Sequence, residues 1–304
     1  MRLWSGLSRW SGEEGGEAAM RLGAHVSIGG GYAQAARRAI AAGCDVYQYF
    51  PKNPRGLSVK VPAASDMAAC AAICRDNGIA SVAHTAYPVN LAYDPDDVRR
   101  EAVVRTLVND LYIAEGCGSM GVVVHFGVYS GADPLTGYRN IVLSLDETLR
   151  RYEGPARLLI ENQAGDRSDF GMTIEEMVRI RELCAGRDRI GFCLDTCHAF
   201  ASGLWSNDEP GFARLAEHGD QLGYWPLVGV IHLNDSRYPC GSRKDRHANV
   251  GSGHIGWERM LELLAFAGRR SIPLVLETPG SADRRTAGHA GEIAEIRRRT
   301  EDMR

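Results

Sequence analysis

Six side chains able to ligate a divalent cation stand at the ends of short apolar runs: His84 after SVA, His125 after GVVV, Glu161 after RLLI, Asp195 after IGFCL, His232 after VGVI and Glu277 after IPLVL. One histidine in such a run is most simply a hydrogen-bonded core residue, but six ligand-type residues at the same point of six runs form a pattern. Three imidazoles and three carboxylates buried together carry a desolvation cost that a bound cation offsets, and without one the cluster would repel itself. His, Asp and Glu without a thiolate suit zinc, manganese or iron. His198 follows Asp195 by three residues, and Asp245 and His247 are one residue apart, so in extended backbone they point to the same side. His198, Asp245 and His247 make a third candidate ligand set; alone, the Asp-x-His pair would read as a solvated loop ion pair. A cation pair lowers the pKa of a shared water and so supplies hydroxide, while neutralising a phosphate and stabilising a leaving alkoxide. Phosphodiester hydrolysis is the reaction that uses all three functions.

Convergence of these residues requires a common rim. The runs at 22–27, 45–50, 81–87, 121–127, 157–162, 190–196, 228–234 and 272–278 alternate with helical patterns such as 32–42, 63–77, 96–115, 174–184 and 257–267. Strand starts recur every 23 to 44 residues, which suits a β/α unit and leaves no linker for a second domain. Eight such units predict an α/β fold, a single (β/α)8 TIM barrel, whose active sites are built at the C-terminal ends of the strands. Residues 1–19 lack an amphipathic period and precede a second methionine, Met20. They are expected to be a disordered leader or a mis-assigned start, with 20–304 forming the barrel.

The 304 residues are 44% hydrophobic and 24% charged, which excludes disordered, collagen-like and coiled-coil classes. A formal charge of −3 disfavours polyanion binding by bulk charge, yet three divalent ions would bring it to about +3, concentrated at the pocket. No run approaches the roughly 18 apolar residues of a membrane helix. The expectation is a soluble, cytoplasmic monomer with no membrane partner. Eight cysteines without a C-x-x-C pair read as reduced thiols. Gly251-Ser-Gly-His-Ile-Gly256 matches G-x-G-x-x-G, but a basic loop rather than a strand precedes it, so a turn and helix cap is expected instead of a nucleotide site. His25 is expected beside the pocket behind the ligands, and His218, His254 and His289 in surface or structural positions.

The segments GAHVS..GG at 23–30, KNPR at 52–55, HTAYPVNL at 84–91, IENQAG at 160–165, LDTCHAFASG at 194–203, HLNDS at 232–236, GSRKDRH at 241–247 and LET at 276–278 resemble the endonuclease IV family of zinc-dependent apurinic/apyrimidinic endonucleases. The resemblance implies three zinc ions: one held by His84, His125 and Glu161; a second by Glu161, Asp195, His232 and Glu277; a third by His198, Asp245 and His247. It implies catalytic roles for Glu161 and Glu277, and incision of double-stranded DNA on the 5′ side of an abasic site, with blocked 3′ ends as further substrates. Extruding an abasic nucleotide needs wedges, and Arg55 and Tyr87 stand at positions resembling the family's inserting residues. Arg243 and Arg246, with Arg237 and Lys244, are candidate phosphate contacts. Phe126 and Tyr129 depart from the family's usual Pro and His, which bears on local loop shape. The competing readings are a metal-dependent sugar isomerase or epimerase, which needs no third metal set, and a damage-binding module without catalysis. A lyase route is disfavoured because the only lysines, Lys52, Lys60 and Lys244, lie outside the predicted strands.

Overall fold

In the computed structural model, residues 20–206, 208, 210–280 and 288–302 are described; the proposed leader at 1–19 lies outside them. Eight parallel strands form the barrel: β1 (Leu22–His25), β2 (Val46–Tyr49), β3 (Ala80–His84), β4 (Gly121–His125), β5 (Arg157–Glu161), β6 (Ile190–Asp195), β7 (Val228–His232) and β10 (Leu274–Leu276). They pair in the closed order β1-β10-β7-β6-β5-β4-β3-β2. A two-stranded antiparallel ribbon, β8 (Asp235–Ser236) with β9 (His247–Ala248), stands on the rim after β7. The helices are α1 (Tyr32–Ala41), α2 (Ala64–Asp76), α3 (Val98–Gly116), α4 (Pro134–Arg151), α5 (Ile174–Leu183), α6 (Thr196–Ser202), α7 (Phe212–Gln221), α8 (Gly256–Arg269) and α9 (Ala290–Glu301).

Local chemistry sets these boundaries. Asp97 accepts from the Arg99 amide at 2.8 Å to start α3, and Asp133 precedes Pro134 at the first turn of α4. Thr173 and Glu176 form a reciprocal capping box at α5. Gly43 and Gly78, at φ 76° and 65°, reverse the chain after α1 and α2, a left-handed conformation that a Cβ disfavours. Inside the barrel Val46, Val82, Val123, Leu159, Cys193, Val230 and Val275 pack into an apolar plug, and a larger layer lies between strands and helices. The rim residues rest on that plug. All eight cysteines are free thiols, and among the described residues no helix is long and apolar enough to cross a membrane.

The predicted strands run past the observed ends, which fall at His25, His84, His232 and Leu276. Beyond these points the backbone leaves the ladder and side chains take over its amides. Asn234 Oδ1 accepts from the Glu277 amide at 2.9 Å, and Thr196 Oγ1 from the Asn234 amide at 2.8 Å. The chain turns directly from β6 into short α6, which the Asp195 carboxylate caps, accepting from the His198 amide at 2.7 Å.

Candidate metal centre

Strand pairing fixes the neighbours at the rim: His125 stands opposite Glu161, and Asp195 opposite His232. Three groups follow. His84 Nε2 and His125 Nε2 each lie 3.3 Å from Glu161 Oε2. The other oxygen, Oε1, lies 2.9 Å from His232 Nδ1, which is also 3.1 Å from Glu277 Oε2 and 3.8 Å from Asp195 Oδ2. Asp245 Oδ1 is 3.2 Å from His198 Nε2 and 3.1 Å from His247 Nε2. Glu161 belongs to the first two groups, and the third adjoins them through His198 Nδ1, 3.5 Å from Glu161 Oε1, and His247 Nε2, 3.7 Å from Asp195 Oδ2. All nine residues named from the sequence as ligands therefore meet in one cluster.

Three of the rings are tethered through the outward nitrogen. The Nδ1 atoms of His84, His198 and His247 contact the carbonyls of Thr85, Asn162 and Glu277 at 2.8, 2.9 and 3.2 Å. Such contacts fix the tautomer and aim the other nitrogen inward. Sequence reasoning gave no role to three residues that brace the cluster. Asn162 bonds the Asp195 amide (2.7 Å) and carbonyl (3.0 Å), and Asn234 bonds Asp195 Oδ2 (2.7 Å). Gln48, buried in β2, contacts both Glu277 and His232. For the two asparagines the signal was adjacency to a ligand: Asn162 follows Glu161, and Asn234 sits two residues after His232.

The electrostatics describe a site short of positive charge. Burial raises the Glu161 and Glu277 pKa values, but the surrounding imidazoles outweigh it and hold both carboxyls below their usual range. Asp245 is likewise held down by His198 and His247 against burial. Burial depresses histidines, yet the facing carboxylates raise His84, His198 and His232, and bring His247 up to about 9. Burial wins at His125, which is lowered, and at His25, which falls to about 4. Inward nitrogens facing carboxylate oxygens call for a cation between them. His247 Nε2 makes the same point by geometry: it is buried without a hydrogen-bond partner among the described residues, yet 3.1 Å from Asp245. The donor set, five imidazoles and four carboxylates, fits a hard-to-borderline divalent metal such as zinc.

Above the cluster opens a cavity of about 410 Å³, with His25, Phe50, Tyr87, Thr278 and His289 on its walls. His289, assigned from the sequence to a surface or structural position, combines that place with a 2.8 Å contact from Nε2 to the Thr278 carbonyl. Tyr87 stands on the lip, 67% exposed, its ring edge-on to Phe50 at 5.2 Å. Its amide donates to the Pro54 carbonyl at 2.9 Å, which ties it to the loop bearing exposed Arg55. Lys52 anchors that loop from below, its buried ammonium 2.7 Å from Asp110 Oδ1 and 3.0 Å from the Thr106 carbonyl. Arg243 and Arg246 are exposed on the loop joining β8 to β9, with Arg243 paired to Asp169 at 2.7 Å. The G-x-G-x-x-G segment serves an internal anion: the amides of Gly251, Gly253 and Gly256 donate to Asp235 Oδ2. A Cβ at Gly253 would collide with that carboxylate and the Ser236 carbonyl.

Fold and site together define a (β/α)8 barrel enzyme with a polynuclear metal-type constellation on its C-terminal rim. Similarity to known proteins narrows this. Residues 36–299 match the family model described as "Xylose isomerase-like TIM barrel". A protein from Symbiobacterium thermophilum named "Probable endonuclease 4" is 39% identical over 260 residues, covering 86% of this chain and 93% of the relative. One of the same name from Methanosphaerula palustris is 37% identical over 284 residues, covering 92% and 98%. The crystal structure of endonuclease IV from Thermus thermophilus superposes with a TM-score of 0.81 at 29% identity, covering 93% of this chain and 99% of that one. The chain belongs to the endonuclease IV family, and is accordingly a nuclease of the hydrolase class. A D-tagatose 3-epimerase-like protein, TM-score 0.68 at 19% identity over 93% of this chain and 98% of its own, shares the barrel alone.

Proposed function

We propose that this protein is a zinc-dependent DNA repair endonuclease that hydrolyses the phosphodiester bond 5′ to an abasic site in double-stranded DNA. The products are a 3′-hydroxyl and a 5′-deoxyribose phosphate, and blocked 3′ ends are further substrates. The observation that carries this reading is the third group, His198, Asp245 and His247, joined to the other two at the floor of one cavity. A sugar isomerase or epimerase has no need of it.

His84, His125 and Glu161 would hold one zinc ion, Glu161, Asp195, His232 and Glu277 a second, and His198, Asp245 and His247 a third. Bound there, zinc supplies Lewis acidity towards a phosphodiester and makes water nucleophilic near neutral pH. Glu161 spans two of the groups with its two oxygens and so sets their separation. Glu277, held ionised at the cavity floor, accepts a hydrogen bond from water and orients it towards the scissile phosphorus. Arg55 and Tyr87 fill the gap left by the missing base, where unstacking costs least. Arg243 and Arg246 face the flanking phosphates, Arg243 exchanging Asp169 for a phosphate oxygen.

The test is a duplex bearing a single tetrahydrofuran residue, which has no aldehyde. Cleavage on its 5′ side to a polymerase-extendable end, without added magnesium, is expected. Borohydride should trap no adduct with a natural abasic site, because none of Lys52, Lys60 and Lys244 lines the cavity and Lys52 is committed to Asp110. A trapped adduct, or an intact tetrahydrofuran strand, would refute the hydrolytic reading.

A further inference from the structure

Gln48 is fully buried at the third position of β2 and belongs to none of the ligand groups. Its amide nonetheless touches three functional side chains. Nε2 lies 2.5 Å from Glu277 Oε1 and 3.2 Å from His25 Nδ1, and Oε1 lies 2.8 Å from His232 Nε2.

The orientation of that amide is forced. An ionised carboxylate only accepts hydrogen bonds, so the amide nitrogen must face Glu277; turned over, two oxygens would meet at 2.5 Å with no proton between them. The amide oxygen then faces His232 Nε2, and that nitrogen must carry the ring proton. With zinc bound and the ring neutral, the lone pair would then be on Nδ1, which points at Glu161 and Glu277. His84, His198 and His247 do the opposite, holding Nδ1 to backbone carbonyls and offering Nε2. His232 is thus reversed relative to these three, and a side-chain amide from β2, separated from β7 by β1 and β10 in the closed sheet, supplies the acceptor that the backbone supplies to them. The second amide proton reaches His25 Nδ1, so the proton of the neutral His25 ring sits on Nε2. His25 lines the cavity against Phe50, at 4.4 Å between ring centroids.

We propose that Gln48 is a positioning residue whose single amide fixes His232 as an Nδ1 metal ligand and fixes His25 as an Nε2–H donor available to a phosphate or sugar oxygen of the nucleic acid. The inference rests on the metal-centre reading for His232, and independently on hydrogen-bond geometry for His25.

The experiment is long-range proton–nitrogen correlation NMR on the zinc-loaded protein labelled with 15N-histidine, with His25 signals assigned through His25→Phe, alongside zinc affinity measured by chelator competition. Wild type should show the protons of both His25 and His232 on Nε2. Gln48→Glu keeps an acceptor for His232 but, pressed against ionised Glu277, holds one proton at most and gives it to Glu277, leaving none for His25, so the His232 pattern should persist while the His25 proton moves to Nδ1. Gln48→Leu loses all three contacts and should weaken zinc binding about 10- to 100-fold, the usual effect of removing a partner that orients a ligand. Gln48→Glu still decides the matter if Gln48→Leu folds poorly. A His232 proton on Nδ1 in wild type, a His25 proton that stays on Nε2 in Gln48→Glu, or wild-type zinc affinity in folded Gln48→Leu would each overturn the proposal. A wild-type chain that takes up no zinc would instead sink the metal-centre reading and the His232 half with it, leaving the His25 tautomer to be judged alone.

Discussion

Replacing Asp235 with asparagine should lower the stability of the barrel measurably. Asp235 is buried, and its carboxylate collects the amides of Ser236 (2.7 Å) and Ile255 (2.9 Å) on Oδ1, and of Gly251 (3.0 Å), Gly253 (3.0 Å) and Gly256 (3.2 Å) on Oδ2. Asparagine keeps one oxygen and puts an NH2 group against the other set, so two or three charge-assisted bonds are lost whichever way it turns. At roughly 1.5 kcal/mol each, the loss is about 3–5 kcal/mol. For a barrel of this size roughly 2 °C of melting temperature accompanies each kcal/mol, so a fall of about 6–10 °C is expected. Asp235 also pairs with Ala248 in the ribbon that carries His247, so zinc occupancy should fall below wild type. Thermal unfolding by near-UV circular dichroism, with zinc content measured on the same samples, reads both. A fall of less than about 2 °C would refute the reasoning, since it would mean that the glycine-rich loop does not depend on an internal anion.

The remaining predictions concern the centre and its approaches. Purified wild type should carry close to three zinc ions per chain by atomic absorption, and His198→Ala should lower both that content and the incision rate; saturation of a well-folded wild type at one zinc would exclude the assignment. After chelation, stability should fall as pH rises from about 6.5 through about 9, because His247 titrates near 9 in the folded chain and near 6.5 in the unfolded one, and His84, His198 and His232 shift the same way. Zinc replaces those protons, so the loaded protein should lack the decline; parallel melting-temperature profiles would contradict this. Arg55→Ala and Tyr87→Ala should weaken binding to intact abasic duplex while leaving zinc content unchanged, with a smaller loss on nicked duplex, where bending and unstacking already cost less. Unaltered binding would return both residues to a surface role.

The eight strands were legible because each is a short apolar run, six of them closed by a ligand-type residue, and period and polarity are local properties. Asp245 and His247 could be paired for the same reason, being one residue apart. Gln48 could not be found, since a glutamine in VYQY carries no sign that its partners are 229 residues away at Glu277 and 184 away at His232. Asn162 and Asn234 stood inside recognised motifs, but their function is to replace ladder hydrogen bonds where the strands diverge, and divergence is a property of the closed barrel. The Asp235 nest was hidden in another way. The glycines were read correctly as a turn, but the anion that requires them comes from the opposite side of the ribbon.

Closure of the sheet has a consequence for when activity can arise. The β1–β10 seam joins the first strand to the last, with Leu22 opposite Leu274, and Glu277 follows that last strand directly. A ribosome-bound chain that has emerged only as far as β7 already owns His84, His125, Glu161, Asp195, His198 and His232, but lacks Glu277, which completes the second group, Asp245 and His247, which complete the third, and the strand that seals the wall. On the proposed reading, the nascent polypeptide would hold a partial chelator and is expected to lack hydrolytic competence. If the cut is made by the proposed centre, which is complete only once the two ends of the sheet have met, a chain truncated after β7 should be unable to nick the genome.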